Sequence, residues 1–130
     1  MAEPVSISAL PATLLDLIDI EGQAQFPGPS LTELWTDPQA ATDWPHPIAE
    51  LVQHPWLPTQ NPSAHGAMRS VLSPEWHYIT HETFGEELYD QLADPQETVN
   101  LADTAGVQLV TDELRSYLEQ RTASGTGLAR

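Results

Sequence analysis

Between residues 25 and 62 prolines stand at positions 27, 29, 38, 45, 47, 55, 58 and 62. Each fixes its own φ and removes a backbone N–H, so neither a long helix nor a central strand can run through this stretch. It reads as a loop that wraps a surface, with one turn of helix at Ser30 to Trp35 and another at Pro47 to Gln53. Trp35, Trp44 and Trp56 are expected to pin that loop by burying their rings. The other use of such rings is as stacking platforms for a sugar or an aromatic sulfate. Longer regular elements are therefore confined to the two flanks.

On the N-terminal flank, residues 5 to 7 read as the tail of a strand and Ser8 as the N-cap of a helix reaching about Ile20. Leu10, Leu14, Leu17 and Ile18 recur at helical spacing as one apolar stripe, and Gly22 follows as a stop. Pro11 lies in the first turn, where no intrahelical bond is lost. On the C-terminal flank, His65-Gly66 opens a new stretch. Two antiparallel strands are expected over 67–73 and 75–82, joined at Ser73-Pro74-Glu75, with a third from Glu86 to Asp90. On the second strand Trp76, Tyr78 and Thr80 share one face, and His77, Ile79 and His81 the other. Asp94-Pro95 then forces a corner, in which the Asp94 side chain can accept backbone N–H bonds, and Asn100 can do the same at the next bend.

After Leu101, Asp103 or Thr104 caps a final helix with an apolar stripe of Val107, Val110, Leu114, Tyr117 and Leu118. Tyr89 is expected to face the core beneath that helix, beside Leu114 or Leu118. The fold class is α+β: a small antiparallel sheet covered by a C-terminal helix, preceded by a Pro-rich loop and an N-terminal helix. The organisation that follows is 1–24 for the helix segment, 25–66 for the loop, 67–122 for the α+β part and 123–130 for a flexible Gly/Ser/Thr-rich tail.

With 130 residues the chain is the size of one domain. Four Arg, no Lys and nineteen acidic residues give a formal net charge of −15. A surface this negative repels phosphate backbones and anionic lipids, so nucleic acid and membrane are excluded as partners. Without cysteine there is no disulfide, thiolate nucleophile or Cys-ligated metal. No apolar run approaches the ~20 residues of a spanning helix, and no basic segment precedes an apolar one at the N-terminus. As written, the chain reads as soluble and cytoplasmic.

The stretch Glu87-Leu88-Tyr89-Asp90, then Asp94-Pro95, Glu97 and Asn100-Leu101, resembles the C-terminal signature of the sulfatases of the alkaline-phosphatase-like superfamily. That signature runs roughly E-L-Y-D-L-x-x-D-P-x-E-x-x-N-L, and Gln91 departs from its second Leu. Arg69-Ser70-Val71 with Trp76-His77-Tyr78-Ile79 resembles the family's R-x-V and W-K-Y-I hairpin, with His77 where Lys is common. Val5-Ser6-Ile7 through Thr13-Leu14-Leu15-Asp16-Leu17 resembles the V-S-L-V-D-L-x-P-T-L-L-D-L segment. There Ala9 replaces the usual Asp, and Pro11 comes one residue before the usual Pro. Phe26-Pro27-Gly28-Pro29-Ser30-Leu31 resembles the F-x-G-x-S-L that follows. The resemblance implies that the N-terminal helix is the last of a larger α/β domain whose sheet lies upstream of this sequence.

The resemblance also implies a particular chemistry for an intact family member. A Cys or Ser in C/S-x-P-x-R is oxidised to formylglycine, a divalent metal such as calcium is held by Asp and Asn, and cationic side chains offset the charge of the sulfate. This sequence has no C/S-x-P-x-R, no paired N-terminal Asp-Asp and no D-H-G motif, so no catalytic, metal or cofactor residue is assigned. Ala64-His65-Gly66 lacks the Asp. His77 and His81, four apart on a strand, are separated by roughly 13 Å, too far for one zinc. Asp90, Asp94 and Glu97 lack the Gly-containing alternation of a calcium loop, and turn capping accounts for them. No Ser sits in a G-x-S-x-G elbow.

Three readings of function follow. The chain is the supporting C-terminal part of a sulfatase-like hydrolase, inactive alone; or a stand-alone interaction module that binds another polypeptide; or a truncated gene product. The stripe of Leu10, Leu14, Leu17 and Ile18 is the surface expected to meet a sulfatase catalytic domain or a second copy of the chain.

Overall fold

The computed structural model describes residues 3–21, 25–26, 28–37, 39 and 44–125. Gly22, Pro27, Pro38 and the tail beyond 125 lie outside the described residues. The chain divides into two compact units, Met1–Pro47 and Ile48–Arg130.

In the first unit a 3-10 turn at Ile7–Ala9 leads into α1, Leu10–Leu17. The expected strand tail at 5–7 is not formed. Ser6, not Ser8, caps the turn, its Oγ accepting from the Ser8 amide. The helix also stops short of Ile20, because Asp19 takes the left-handed conformation at φ 55°. The Ile20 amide then reaches back to the Leu15 carbonyl at 2.9 Å and the Asp19 amide to Asp16, which closes the last turn as a Schellman cap without Gly22. The face of α1 turned inward is small and polar: Ala9, Ala12 and Thr13 are buried, while Leu10, Leu14, Leu17 and Ile18 are exposed. Thr13 Oγ1 donates to the Ala9 carbonyl at 2.7 Å and accepts from the Leu31 amide at 2.9 Å. Asp16 Oδ2 accepts from Ser30 Oγ and from Thr32 Oγ1. Gly28 is needed here, since a Cβ on it would come within 2.9 Å of the Ala9 Cα. The expected turn near Ser30 is α2, Thr32–Thr36.

The second unit holds a four-stranded antiparallel sheet in the order β1 (Ile48–Leu51), β2 (Met68–Leu72), β3 (Trp76–His81), β4 (Gly85–Asp90). Its α+β class and the last three strands are as expected. The first strand is a correction: residues 48–51 are extended, not helical. Pairing with β2 from Ile48↔Val71 to Leu51↔Met68 satisfies their backbone on one side, and Pro47 is tolerated because it precedes an edge strand. The tryptophans are a second correction. Trp44 is buried, but Trp35 and Trp56 are 67% and 77% exposed. The loop is tied instead by polar bonds: the His54 amide donates to the Ser63 carbonyl, and His81 Nε2 meets the Pro62 carbonyl.

The core of this unit runs across three strands, where Val71, Tyr78 and Leu88 are paired in register and fully buried. The final helix α3, Gln108–Gly125, lays Leu114 and Leu118 on them, with Val107, Val110, Tyr117 and Trp76 at the margin. The helix runs through 123–125, residues expected in the tail. Tyr89 does not join this core. It sits opposite His77, on the other side of β4 from Leu88, because a strand turns successive side chains to opposite faces. No helix among the described residues is long and apolar enough to cross a membrane.

Candidate functional site

The residues of the signature stretch assemble at the end of β4 as a hydrogen-bonded corner. Asp90 Oδ1 accepts from the Leu92 and Ala93 amides at 2.9 and 2.8 Å. Asp94 Oδ2 accepts from the Thr98 and Val99 amides at 2.7 and 2.8 Å, and its Oδ1 accepts from Thr98 Oγ1. These bonds, led by that from Val99, hold the Asp94 carboxyl below the usual carboxylate range. Pro95 is exposed at the tip and bends the chain between these two acceptors. The carboxylates at 90 and 94 are thus spent on backbone amides, as turn capping requires.

Asn100 closes the outer edge of β4. Its Oδ1 accepts from the Leu88 and Ala102 amides at 3.0 and 2.9 Å, and its Nδ2 donates to the Glu86 carbonyl. The Leu101 amide then donates to the Leu88 carbonyl at 2.8 Å. An edge strand that would otherwise present bare N–H and C=O groups is covered by its own downstream chain.

Glu97 has φ 55°, a conformation that costs a non-glycine residue energy and persists only when its surroundings fix it. What fixes it is a pair of donors: His77 Nδ1 at 2.7 Å and Gln91 Nε2 at 2.9 Å, both to Oε1. Burial pushes the Glu97 carboxyl up, but these two bonds outweigh it and the net shift is downward. His77 and Gln91 are the two positions of the β3–β4 region that depart from the signature pattern, and both meet the same carboxylate. On the same side of the sheet the Tyr89 hydroxyl donates to Glu87 Oε2 at 3.0 Å. Its pKa is pushed up to about 12, first by burial and then by the Glu87 carboxylate.

On the α3 side a second cluster was not visible from the sequence. Arg115 grips Glu86 with Nε on Oε1 at 2.6 Å and Nη2 on Oε2 at 2.7 Å, and its Nη1 reaches Asp112 at 2.5 Å. The buried Tyr78 hydroxyl donates to Glu86 Oε1 at 2.6 Å. Arg115 lowers the Glu86 pKa, while burial and the adjacent carboxylate raise that of Tyr78 to about 12. A cleft of about 150 Å³ opens beside them, lined also by Arg69, Thr80, Leu118 and Glu119. Both cations at its wall are neutralised by neighbours, Arg69 by Glu50 at 3.0 Å, so the cleft offers little to an anion. Glu86 and Arg115 are 29 positions apart, and no local pattern links them.

Among the described residues no group of three or more His, Cys, Asp or Glu is placed to hold a metal ion. The chain has no Cys to become formylglycine.

No family model matches the sequence, and no curated protein does. Solved structures do match. A 2-O GAG sulfatase shares 26% identity with a TM-score of 0.69, over 93% of this chain and 25% of its own. A protein of Bacteroides thetaiotaomicron VPI-5482, assigned to the sulfatases, shares 28% identity with a TM-score of 0.71, over 92% of this chain and 25% of its own. This chain is sulfatase-like. The chain spans about a quarter of the length of the structures it matches. The phosphonate monoester hydrolase of Agrobacterium radiobacter shares the fold at 18% identity and a TM-score of 0.54.

Proposed function

We propose that this chain serves as the C-terminal supporting part of a sulfatase-like sulfuric ester hydrolase and turns over no substrate alone. The observation that carries this is the asymmetry of coverage: 92–93% of this chain is accounted for by sulfatase structures of which it spans only 25%. The sequence has no Cys, and among the described residues no group of three or more His, Cys, Asp or Glu is placed to hold a metal ion. What the chain does possess is a set of fixed polar joints. Asp90, Asp94 and Asn100 cap backbone amides, and Arg115 ties α3 to β4 through Glu86. Rigid joints of that kind suit a supporting part better than a reacting one.

The test is direct. The purified chain, supplied with calcium or magnesium, is expected to leave aryl sulfates untouched. Turnover above that of a heat-treated control would show that a catalytic centre exists in these residues and would overturn the reading.

A further inference from the structure

Trp56 stands on a braced turn of the Pro-rich loop and still faces water. Pro55 and Pro58 flank it. The Leu57 amide donates to the His54 carbonyl at 3.0 Å, the Asn61 amide to the Pro58 carbonyl at 2.9 Å, and the His54 amide to the Ser63 carbonyl at 2.8 Å. His65 Nε2 meets the Thr59 carbonyl at 2.7 Å, and the His65 ring lies edge-on to Phe84 of the β3–β4 turn. The His54 ring sits 5.1 Å from that of Trp56, tilted by 60°, yet Trp56 remains 77% exposed. His54 Nδ1 is itself buried with no hydrogen-bond partner among the described residues. An exposed large ring beside a buried, unbonded polar atom is the reverse of what stability alone selects. Because the backbone is already fixed on both sides of the ring, a ligand lying on the indole has little left to order.

The surroundings define that ligand. From Leu51 to Met68 the sequence has no Asp, Glu, Lys or Arg, in a chain with nineteen acidic residues and four Arg. Glu82 reaches the end of this stretch from the β3–β4 turn, but the Ala67 amide engages it at 2.9 Å. An anionic ring therefore finds no cation in the loop and is repelled by the net charge of −15, and a cationic one finds no free carboxylate there. Thr59 and Gln60 are exposed beside the turn, and neither side chain is hydrogen-bonded among the described residues. Such uncharged groups suit hydroxyls. The face of an indole is electronegative and attracts C–H groups that carry slight positive charge. A pyranose chair with equatorial hydroxyls meets both demands, with axial C–H bonds on its flat faces and hydroxyls around its rim. An aliphatic ligand would leave Thr59 and Gln60 unmet, and an aromatic sulfate brings an anion that the loop does not balance. We infer that Trp56 is a stacking platform for an uncharged pyranose of the glucose configuration. The inference goes beyond the supporting role proposed above and does not depend on it.

The probe is cellohexaose, a chain of unsulfated glucose rings, titrated into the full chain and followed by the indole N–H signals in two-dimensional NMR. The Trp56 signal, assigned by its loss in Trp56→Phe, is expected to shift. That of Trp35 is not, although Trp35 is 67% exposed, because Glu33 and Asp37 stand beside it in place of an uncharged polar rim. Trp56→Ala should weaken binding about tenfold through the lost stacking partner, and Trp56→Phe, which keeps a smaller ring, should fall between. The ring faces solvent, so both variants should keep their far-ultraviolet circular dichroism. Affinity should not change between about 50 and about 500 mM NaCl, since no charge pair is screened. A heparin hexasaccharide, equal in length but sulfated, should leave the Trp56 signal in place. No shift with cellohexaose, equal affinity in Trp56→Ala, an equal response to the heparin hexasaccharide, or a Trp35 shift as large as that of Trp56 overturns the inference. Aryl sulfate turnover bears on the supporting role alone, so the two readings fail separately.

Discussion

Replacing Leu88 by Ala tests which face of β4 carries the core. Leu88 is fully buried, paired with Tyr78 across the ladder and clustered with Leu114 and Leu118 of α3. Cutting its isobutyl side chain back to methyl loses the transfer energy and leaves a cavity that a strand pinned at the Leu88 amide by Asn100 and at the Leu88 carbonyl by the Leu101 amide cannot collapse. The cost of such a change is about 2–5 kcal/mol, and ~3 is a fair centre. In a cooperative unit of this size each kcal/mol lowers the thermal midpoint by about 4–8 °C, so Leu88→Ala should lower it by roughly 12–24 °C. Tyr89→Ala removes a larger side chain from the opposite face, where the residue is only partly buried and its hydroxyl bonds Glu87. Its cost should stay near ~1 kcal/mol, in the range of partly exposed positions. The assay is thermal unfolding of both variants followed by circular dichroism under one set of conditions. A Tyr89→Ala shift as large as that of Leu88→Ala would show that the register is displaced by one residue.

Three further outcomes follow from the polar joints. Asn100→Ala leaves the Leu88 amide without its acceptor and should cost about 1–3 kcal/mol, with hydrogen exchange at Leu88 and Ala102 accelerated and that of β2 unchanged; equal exchange at both amides would refute the cap. The lowered pKa values of Glu86, Asp94 and Glu97 mean that their stabilisation is full above the ordinary carboxylate range and is lost as pH falls through the lowered values, so the urea midpoint should fall steadily below about pH 4.5. A midpoint that stays constant through that window refutes the assignment, and Glu86→Gln should flatten part of the slope. Tyr78 and Tyr89 have pKa values raised to about 12, so their contribution is present below the ordinary phenol value and lost as pH rises through the folded one; phenolate absorbance from these two should appear only near pH 12, and full ionisation by pH 10.5 in the folded chain would contradict it.

How far the sequence reveals this structure differs from element to element, for identifiable reasons. The α3 stripe of Leu114 and Leu118 was legible because a helix repeats its buried face every turn and needs no partner to define it. The Asp90 and Asp94 caps were legible too, since each acts on amides within a few residues, whereas Asn100 also reaches the Leu88 amide twelve residues back. The strand at Ile48–Leu51 was not, because its reason for being extended lies at Met68–Val71, some twenty residues on, and its local residues carry no alternation. The β4 register was ambiguous for a related reason. Leu88 and Tyr89 are adjacent apolar residues, and the choice falls to Leu88 because Glu86, two residues earlier on the same face, meets Arg115 from α3. An acidic residue on an inward face looks wrong until its distant cation is known. The outward turn of the α1 leucines also depends on a distant contact, the one that Asp16 makes with Ser30 and Thr32.

His77 and Gln91 stand where the related pattern has Lys and Leu, yet they are not two independent departures. Both donate to Oε1 of Glu97, at a backbone position held in an unfavourable conformation. Reverting Gln91 to Leu alone would leave His77 to hold that carboxylate by itself, and reverting His77 to Lys alone would replace a short ring with a long flexible chain beside an amide already in place. Groups that share one partner do not contribute additively. Exchanges at these two sites are therefore best made as a pair, because a survey that changes one position at a time misses the coupling that the shared carboxylate imposes.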